Sequence, residues 1–175
     1  MPNWCSNSLT LTAASKEEAD ELHKHLENQE AEDWTFFGFF VPEEWEQGDW
    51  FWSRVEAWGT KWDASLISVD WIDDLNVVML FDTAWGPPIG VYNAATEQGW
   101  GVVATYYEPG MGFCGSFEYG EEEYFEYHEC ETPEEIRKLV GENLDDEYGI
   151  SDWMQQLLDE EEEENRMDGG REHFG

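Results

Sequence analysis

The sequence predicts an α+β fold: an antiparallel sheet with helices on one face. Three observations lead there. Up to residue 107, stretches of alternating hydrophobicity and stretches of helical spacing follow one another in the order β-α-β-β-α-β. The turn "DDLN" between two apolar runs has the chemistry that joins antiparallel neighbours. Aromatic residues make up 16% of the chain, including 11 Trp in 175 residues, so material for a core exists despite a formal charge of -34.

The first strand is "WCSNSLTLTA", alternating through Leu9 and Leu11. Ser15 and Glu18 form a capping-box pattern, and Ala19, Leu22 and Leu26 put one apolar face on the helix that follows. "ASLISVDW" and "VVMLFD" are the next two strands. Pro88 and Gly99 bracket a second helix over residues 89 to 98, facing inward with Val91, Tyr92 and Ala95. "GVVATYYE" is the fourth strand, and "PGMG" turns into a second hairpin, "FCGSFEY" and "EEYFEYHE", around Gly120. Thr132, Pro133 and Glu135 open a third helix, and Ser151 is the expected cap of a fourth, "DWMQQLLDEEEEE". The first 107 residues match the ferredoxin-like split arrangement, extended by the extra hairpin and the C-terminal helices. The expected organisation is a domain over 1–130, an acidic helical appendage over 131–164 and a flexible tail over 165–175.

Residues 30 to 63 interrupt this plan with "DWTFFGFFVPEEWEQGDWFWSRVEAWGTKWD", an aromatic, acidic insertion with no sustained period. Residues 36 to 41 are expected to form a short strand and 52 to 58 a turn or two of helix. Most of the rings are expected to build a second small core beneath the insertion.

The charge comes from 42 Asp and Glu against 8 Lys and Arg. That balance argues against direct binding of nucleic acid or of an anionic membrane, both of which need clustered cations. Cys5, Cys114 and Cys130 are odd in number and lack CxxC spacing, which points to a reducing compartment. "MPNWCSNSLT" has neither a basic nor an apolar leader region, and no apolar run approaches the length of a membrane span. A soluble protein of the host-cell cytoplasm is expected.

Four stretches together, "MPNWCSN", "WGTKWD", "FDTAWGPP" and "YYEPGMGFCG", resemble the YubB-like ferredoxin-like family of small proteins carried by phages and plasmids. The resemblance covers roughly residues 1 to 120. It implies a ferredoxin-like fold and residence on mobile elements, and it brings no catalytic residues. The glutamate-dense C-terminal third departs from it.

Nothing in the sequence indicates catalysis, a cofactor or a metal. "GPPIG" and "GMGFCG" lack the context of a phosphate loop. His23 and His25, two apart on a helix, cannot chelate one ion. Asp145, Glu147 and Gly149 hint at a calcium loop, but its sixth position falls on Ile150 instead of glycine. His128 with Cys130 supplies only two ligands. A nucleophilic pair of His128 with Cys114 or Cys130 is outweighed by the structural reading of a cysteine near a strand histidine.

The charge is regional: 20 of the 42 acids fall between Glu118 and Glu164, against Arg137 and Lys138 alone. On the second hairpin, Phe113, Phe117, Tyr119, Phe125 and Tyr127 are expected to cover one face and Glu118, Glu122 and Glu126 the other. Same-face strand residues lie about 6.6–6.8 Å apart, and duplex DNA carries two phosphate charges per about 3.4 Å of axis. An aromatic scaffold stiff enough to hold carboxylates at such spacing could fill a groove built for a nucleic-acid backbone. The expected function is therefore a non-enzymatic DNA mimic that inhibits a basic, nucleic-acid-binding host defence protein. Its expected surface is Glu118, Glu121, Glu122, Glu123, Glu126, Glu129, Glu134, Glu135, Asp145, Asp146 and Glu147. The alternative is an interaction module using an aromatic patch of Trp45, Trp50, Trp52, Trp58, Lys61 and Trp62, with acidity serving solubility.

Overall fold

The computed structural model describes residues 1–44 and 49–171. They form an α+β protein with a six-stranded antiparallel sheet. The chain divides into two compact units, Met1–Tyr124 and the residues from Phe125 onward. The boundary falls inside the second hairpin, several residues before the expected break at 130.

In the first unit, β1 (Trp4–Thr12) pairs antiparallel with both β3 (Asn76–Ala84) and β4 (Gly101–Glu108). β2 (Ser65–Trp71) lies outside β3, its register broken by a bulge between Leu66 and Ser68. β5 (Phe113–Glu118) pairs with β4, and β6 (Glu121–Glu126) closes the spatial order β2-β3-β1-β4-β5-β6. The hairpin read from "DDLN" is an Asx turn: Asp73 Oδ1 accepts the amides of Leu75 and Asn76, both at 2.8 Å.

The alternation seen in the sequence becomes burial. Leu9, Leu11, Val77, Met79, Phe81, Val102 and Ala104 share one side of the sheet and one hydrophobic core. Helix α1 (Lys16–Glu27) adds Ala19, Leu22 and Leu26, and α3 (Ile89–Glu97) adds Val91, Tyr92 and Ala95. The Ser15 hydroxyl accepts the Glu18 amide while Glu18 accepts the Ala14 amide, the reciprocal cap that the sequence spelled out.

The insertion folds differently from the expectation. Residues 36 to 41 form a tight 3₁₀ turn at Phe37–Phe39 instead of a strand. The cause is distant in sequence: the Asp63 carboxylate accepts the amides of Phe36 at 2.7 Å and Phe37 at 3.0 Å, which a strand could not offer together. The rings do not make a separate small core either. Phe36 and Phe37 meet Phe81, Phe40 meets Trp100, and Phe37 stands edge-on to Trp58, so they join the main core. Helix α2 (Trp50–Trp58) covers the expected helical turns and ends at Gly59, whose φ of 85° is the left-handed cap that glycine allows. It lies so close to α3 that a Cβ on Gly90 would sit 2.1 Å from the Ala57 carbonyl oxygen.

The second unit is helical: α4 (Pro133–Val140), α5 (Glu142–Tyr148) and α6 (Ile150–Arg171). Thr132 and Glu135 form the expected capping box, accepting the amides of Glu135 and Glu131. The sequence reading missed α5, and it placed Ser151 as a cap. Ser151 lies inside α6, which begins one residue earlier. The helix runs on through Arg171, across most of the stretch expected as a flexible tail, and residues 172–175 lie outside the described residues.

Candidate partner-binding surface

The β5–β6 hairpin turns on Tyr119 (φ 50°) and Gly120 (φ 90°). Positive φ at both central residues defines the two-residue turn whose twist matches that of the strands. Such a turn sets Glu118 opposite Glu121. Even-numbered residues of β5 therefore share a face with odd-numbered residues of β6, which inverts the expected arrangement. Two contacts verify this parity. Tyr106, opposite Gly115 on β5, donates its hydroxyl to Glu122 Oε1 at 2.6 Å. Phe113 meets the Tyr124 ring at 5.4 Å. Glu122 and Tyr124 thus lie on the side of Phe113 and Phe117. Glu118, Glu121 and Glu123 occupy the other side, where with Ser116 and Tyr119 they line a shallow concavity.

This parity corrects the grouping of Glu118 with Glu122 and Glu126. Glu122 is engaged by Tyr106, whose phenol is pushed well above its ordinary pKa by burial and then by the Glu122 carboxylate. Gly115 makes room for that phenol, since a Cβ there would lie 2.3 Å from the Tyr106 hydroxyl oxygen. Paired strand residues have Cβ atoms about 4.5–5.5 Å apart, and like charges there repel. Glu118 and Glu121 are held in that relation, with Glu123 one step along the same face.

In the second unit the predicted acids divide. Glu126, Glu129, Glu134, Asp146 and Glu147 are exposed. Glu135 is also exposed, but its carboxylate serves the α4 cap. Asp145 is no surface residue: it is 2% exposed, its Oδ2 accepting from Arg137 at 2.8 Å and from the Ser151 hydroxyl at 2.6 Å, its Oδ1 from the Ser151 amide at 2.7 Å. Burial alone would raise its pKa, yet the Ser151 and Arg137 contacts outweigh burial and hold it below the usual carboxylate range. Asp146 shares Arg137. The run of acids from Asp159 to Glu164 lies on α6 and is exposed throughout. Six consecutive helical positions point to every side of the axis, so that run presents no single acidic face.

The aromatic patch divides likewise. Trp45 lies outside the described residues. Trp58 is fully buried and donates to the Val41 carbonyl, so it belongs to the core and not to a surface. Trp50 and Trp52 are exposed, Trp52 at 72%. Lys61 places its ammonium 4.7 Å from the Trp62 ring centre and 5.1 Å from that of Phe51. Trp62 in turn meets Trp4 at 6.2 Å, a neighbour that sequence reading did not connect.

Of the candidate thiols, Cys114 is buried and Cys130 is half-buried. Burial and then Glu108 push the Cys5 thiol up to about 12, and burial with Glu135 and Glu129 raises that of Cys130, so thiolate is disfavoured at both. Among the described residues no three His, Cys, Asp or Glu side chains are grouped to hold a metal ion. No described helix is long and apolar enough to cross a membrane. Compared with known proteins, the chain matches no family model, no curated protein and no solved structure.

Proposed function

We propose that the protein is a non-enzymatic inhibitor from a phage or other mobile element, acting in the host cytoplasm. It would fill the basic cleft of a host DNA- or RNA-binding defence protein in place of nucleic acid. In this reading the first four strands with α1 and α3 are the ferredoxin-like body that the YubB-like resemblance implies, and β5–β6 is its added hairpin. One observation carries the proposal: Glu118, Glu121 and Glu123 share one side of a hairpin whose turn fixes their register. Their mutual repulsion is retained in the folded protein, and a cationic surface relieves it on contact. The buried rings on the far side of the sheet supply the stiffness that keeps the carboxylates in place. Glu126, Glu129, Glu134, Asp146 and Glu147 add to the negative field that steers a basic partner, without forming part of this array.

Immobilised protein challenged with a bacterial lysate at low salt tests this. A nucleic-acid-binding protein should be retained, released as salt rises and displaced by duplex DNA. The Glu118→Gln, Glu121→Gln, Glu123→Gln triple variant should retain much less of it. Retention indifferent to salt, or equal retention by the triple variant, contradicts the proposal.

A further inference from the structure

Around Arg54 of α2 the protein already contains one complete arginine receptor, its carboxylate supplied from before the helix by Glu43. The Arg54 guanidinium lies 4.8 Å from the Trp58 ring centre and 5.4 Å from that of Trp50, while Glu43 accepts its Nε–H. Stacking on indole combined with a carboxylate acceptor suits the planar, weakly hydrated guanidinium better than an ammonium. The same helix presents a second, smaller set, one indole and one carboxylate. Trp52 and Glu56 are four residues apart and therefore neighbours on one side of α2, with Cβ atoms about 5–6 Å apart. Both are exposed. Phe51 stands edge-on to the Trp52 indole at 4.9 Å and bears Lys61 on its own ring. Among the described residues no cation lies over Trp52 and no cationic group pairs with Glu56.

We propose that Trp52 and Glu56 bind an arginine side chain of the basic partner, the guanidinium stacking on the indole and its N–H groups donating to the carboxylate. This inference rests on the proposed function for the partner's charge and adds to it a preference for arginine over lysine. Charge complementarity selects the occupant: a chain of formal charge -34 attracts cations to any exposed ring. The filled Arg54 site, with two indoles and a carboxylate, holds a guanidinium.

The test uses fluorescein-labelled octa-arginine and octa-lysine, with binding to the full chain followed by anisotropy at low salt. Wild type should bind octa-arginine the more tightly. Trp52→Ala should lower octa-arginine affinity about threefold, in line with an exposed cation–π contact, and leave octa-lysine affinity unchanged. Glu56→Gln should reduce the arginine preference, and Trp52→Phe should keep part of it. Circular dichroism should show all three variants folded; should Trp52→Ala unfold, Glu56→Gln and Trp52→Phe carry the same test. The Glu118→Gln, Glu121→Gln, Glu123→Gln variant should weaken both peptides alike. If Trp52→Ala leaves the arginine preference intact, or none exists, the inference fails while the acidic-face reading stands. If wild type binds neither peptide, both fail.

Discussion

The two units of the chain solve the problem of excess negative charge in different ways. The first, Met1–Tyr124, rests on strand pairing between distant segments and on interlocked rings such as Phe37, Trp58 and Phe81. Its buried Glu108 accepts the amides of Gly110 and Met111, and its half-buried Asp63 those of Phe36 and Phe37, so both carboxylates anchor backbone amides. The second unit has three helices, and one of its buried groups is itself a carboxylate, Asp145, clasped by Arg137 and Ser151. Both regions build a carboxylate into their frame: the first satisfies Glu108 and Asp63 with backbone amides, and the second adds a cation, Arg137, to the hydrogen bonds that hold Asp145. The difference teaches that acidic content alone says little about availability: Asp145 and Glu118 look alike in sequence and have opposite fates.

The largest expected effect breaks the first unit. Trp58→Ala removes a fully buried indole and should cost about 3–5 kcal/mol, read by chemical denaturation. A cost below that of Asp145→Ala would contradict the contrast. Asp145→Ala should cost about 1–3 kcal/mol by leaving the Ser151 amide and hydroxyl unmatched and by removing one of the carboxylates on Arg137, which keeps Asp146. Trp153, the single tryptophan beyond residue 124, provides a local fluorescence reporter for it.

Acidity should sharpen the comparison, because the two carboxylates shift in opposite directions. Asp145 has a depressed folded pKa, so its contribution is present at neutral pH and is lost as pH falls through that value. Asp63 is raised, chiefly by burial, against the lowering pull of the Phe37 and Phe36 amides. Its contribution is therefore full below the ordinary carboxylate pKa and declines as pH climbs through the raised one. Asp145→Asn should remove part of the acid-side loss of stability, and Asp63→Asn part of the loss on raising pH. Stability profiles of the two variants that move in the same direction would contradict this pairing.

What could be read from the sequence was what is local. The caps at Ser15–Glu18 and Thr132–Glu135 depend on residues three apart, and the strands on alternation. What failed depended on distant partners or on backbone conformation. The turn at Phe37–Phe39 needs Asp63, far along the chain. The hairpin parity needs Tyr119 at positive φ, where Asn or Gly is the usual signal. The burial of Asp145 needs Arg137 and Ser151 brought together by a helix, α5, that sequence reading did not separate. Of the acids predicted to form one surface, Glu118, Glu121 and Glu123 do share a face, Glu122 points to the other side, and Asp145 is internal.

The smallest expected effect is on stability from the face itself. Replacing Glu118, Glu121 and Glu123 by glutamine should change unfolding free energy by no more than about 0.5 kcal/mol per site, slightly in favour of the fold at low salt because repulsion is removed. A large loss would mean that these side chains serve the structure.

Competition decides the central claim most directly. A short labelled duplex is bound to the protein recovered from the lysate, and the present chain is titrated in while both binding and release are followed. Mutual exclusion is expected, weakening as salt rises and largely absent for the triple glutamine variant. A stable ternary complex, with the duplex still in place, would show that the carboxylates do not stand where phosphates do.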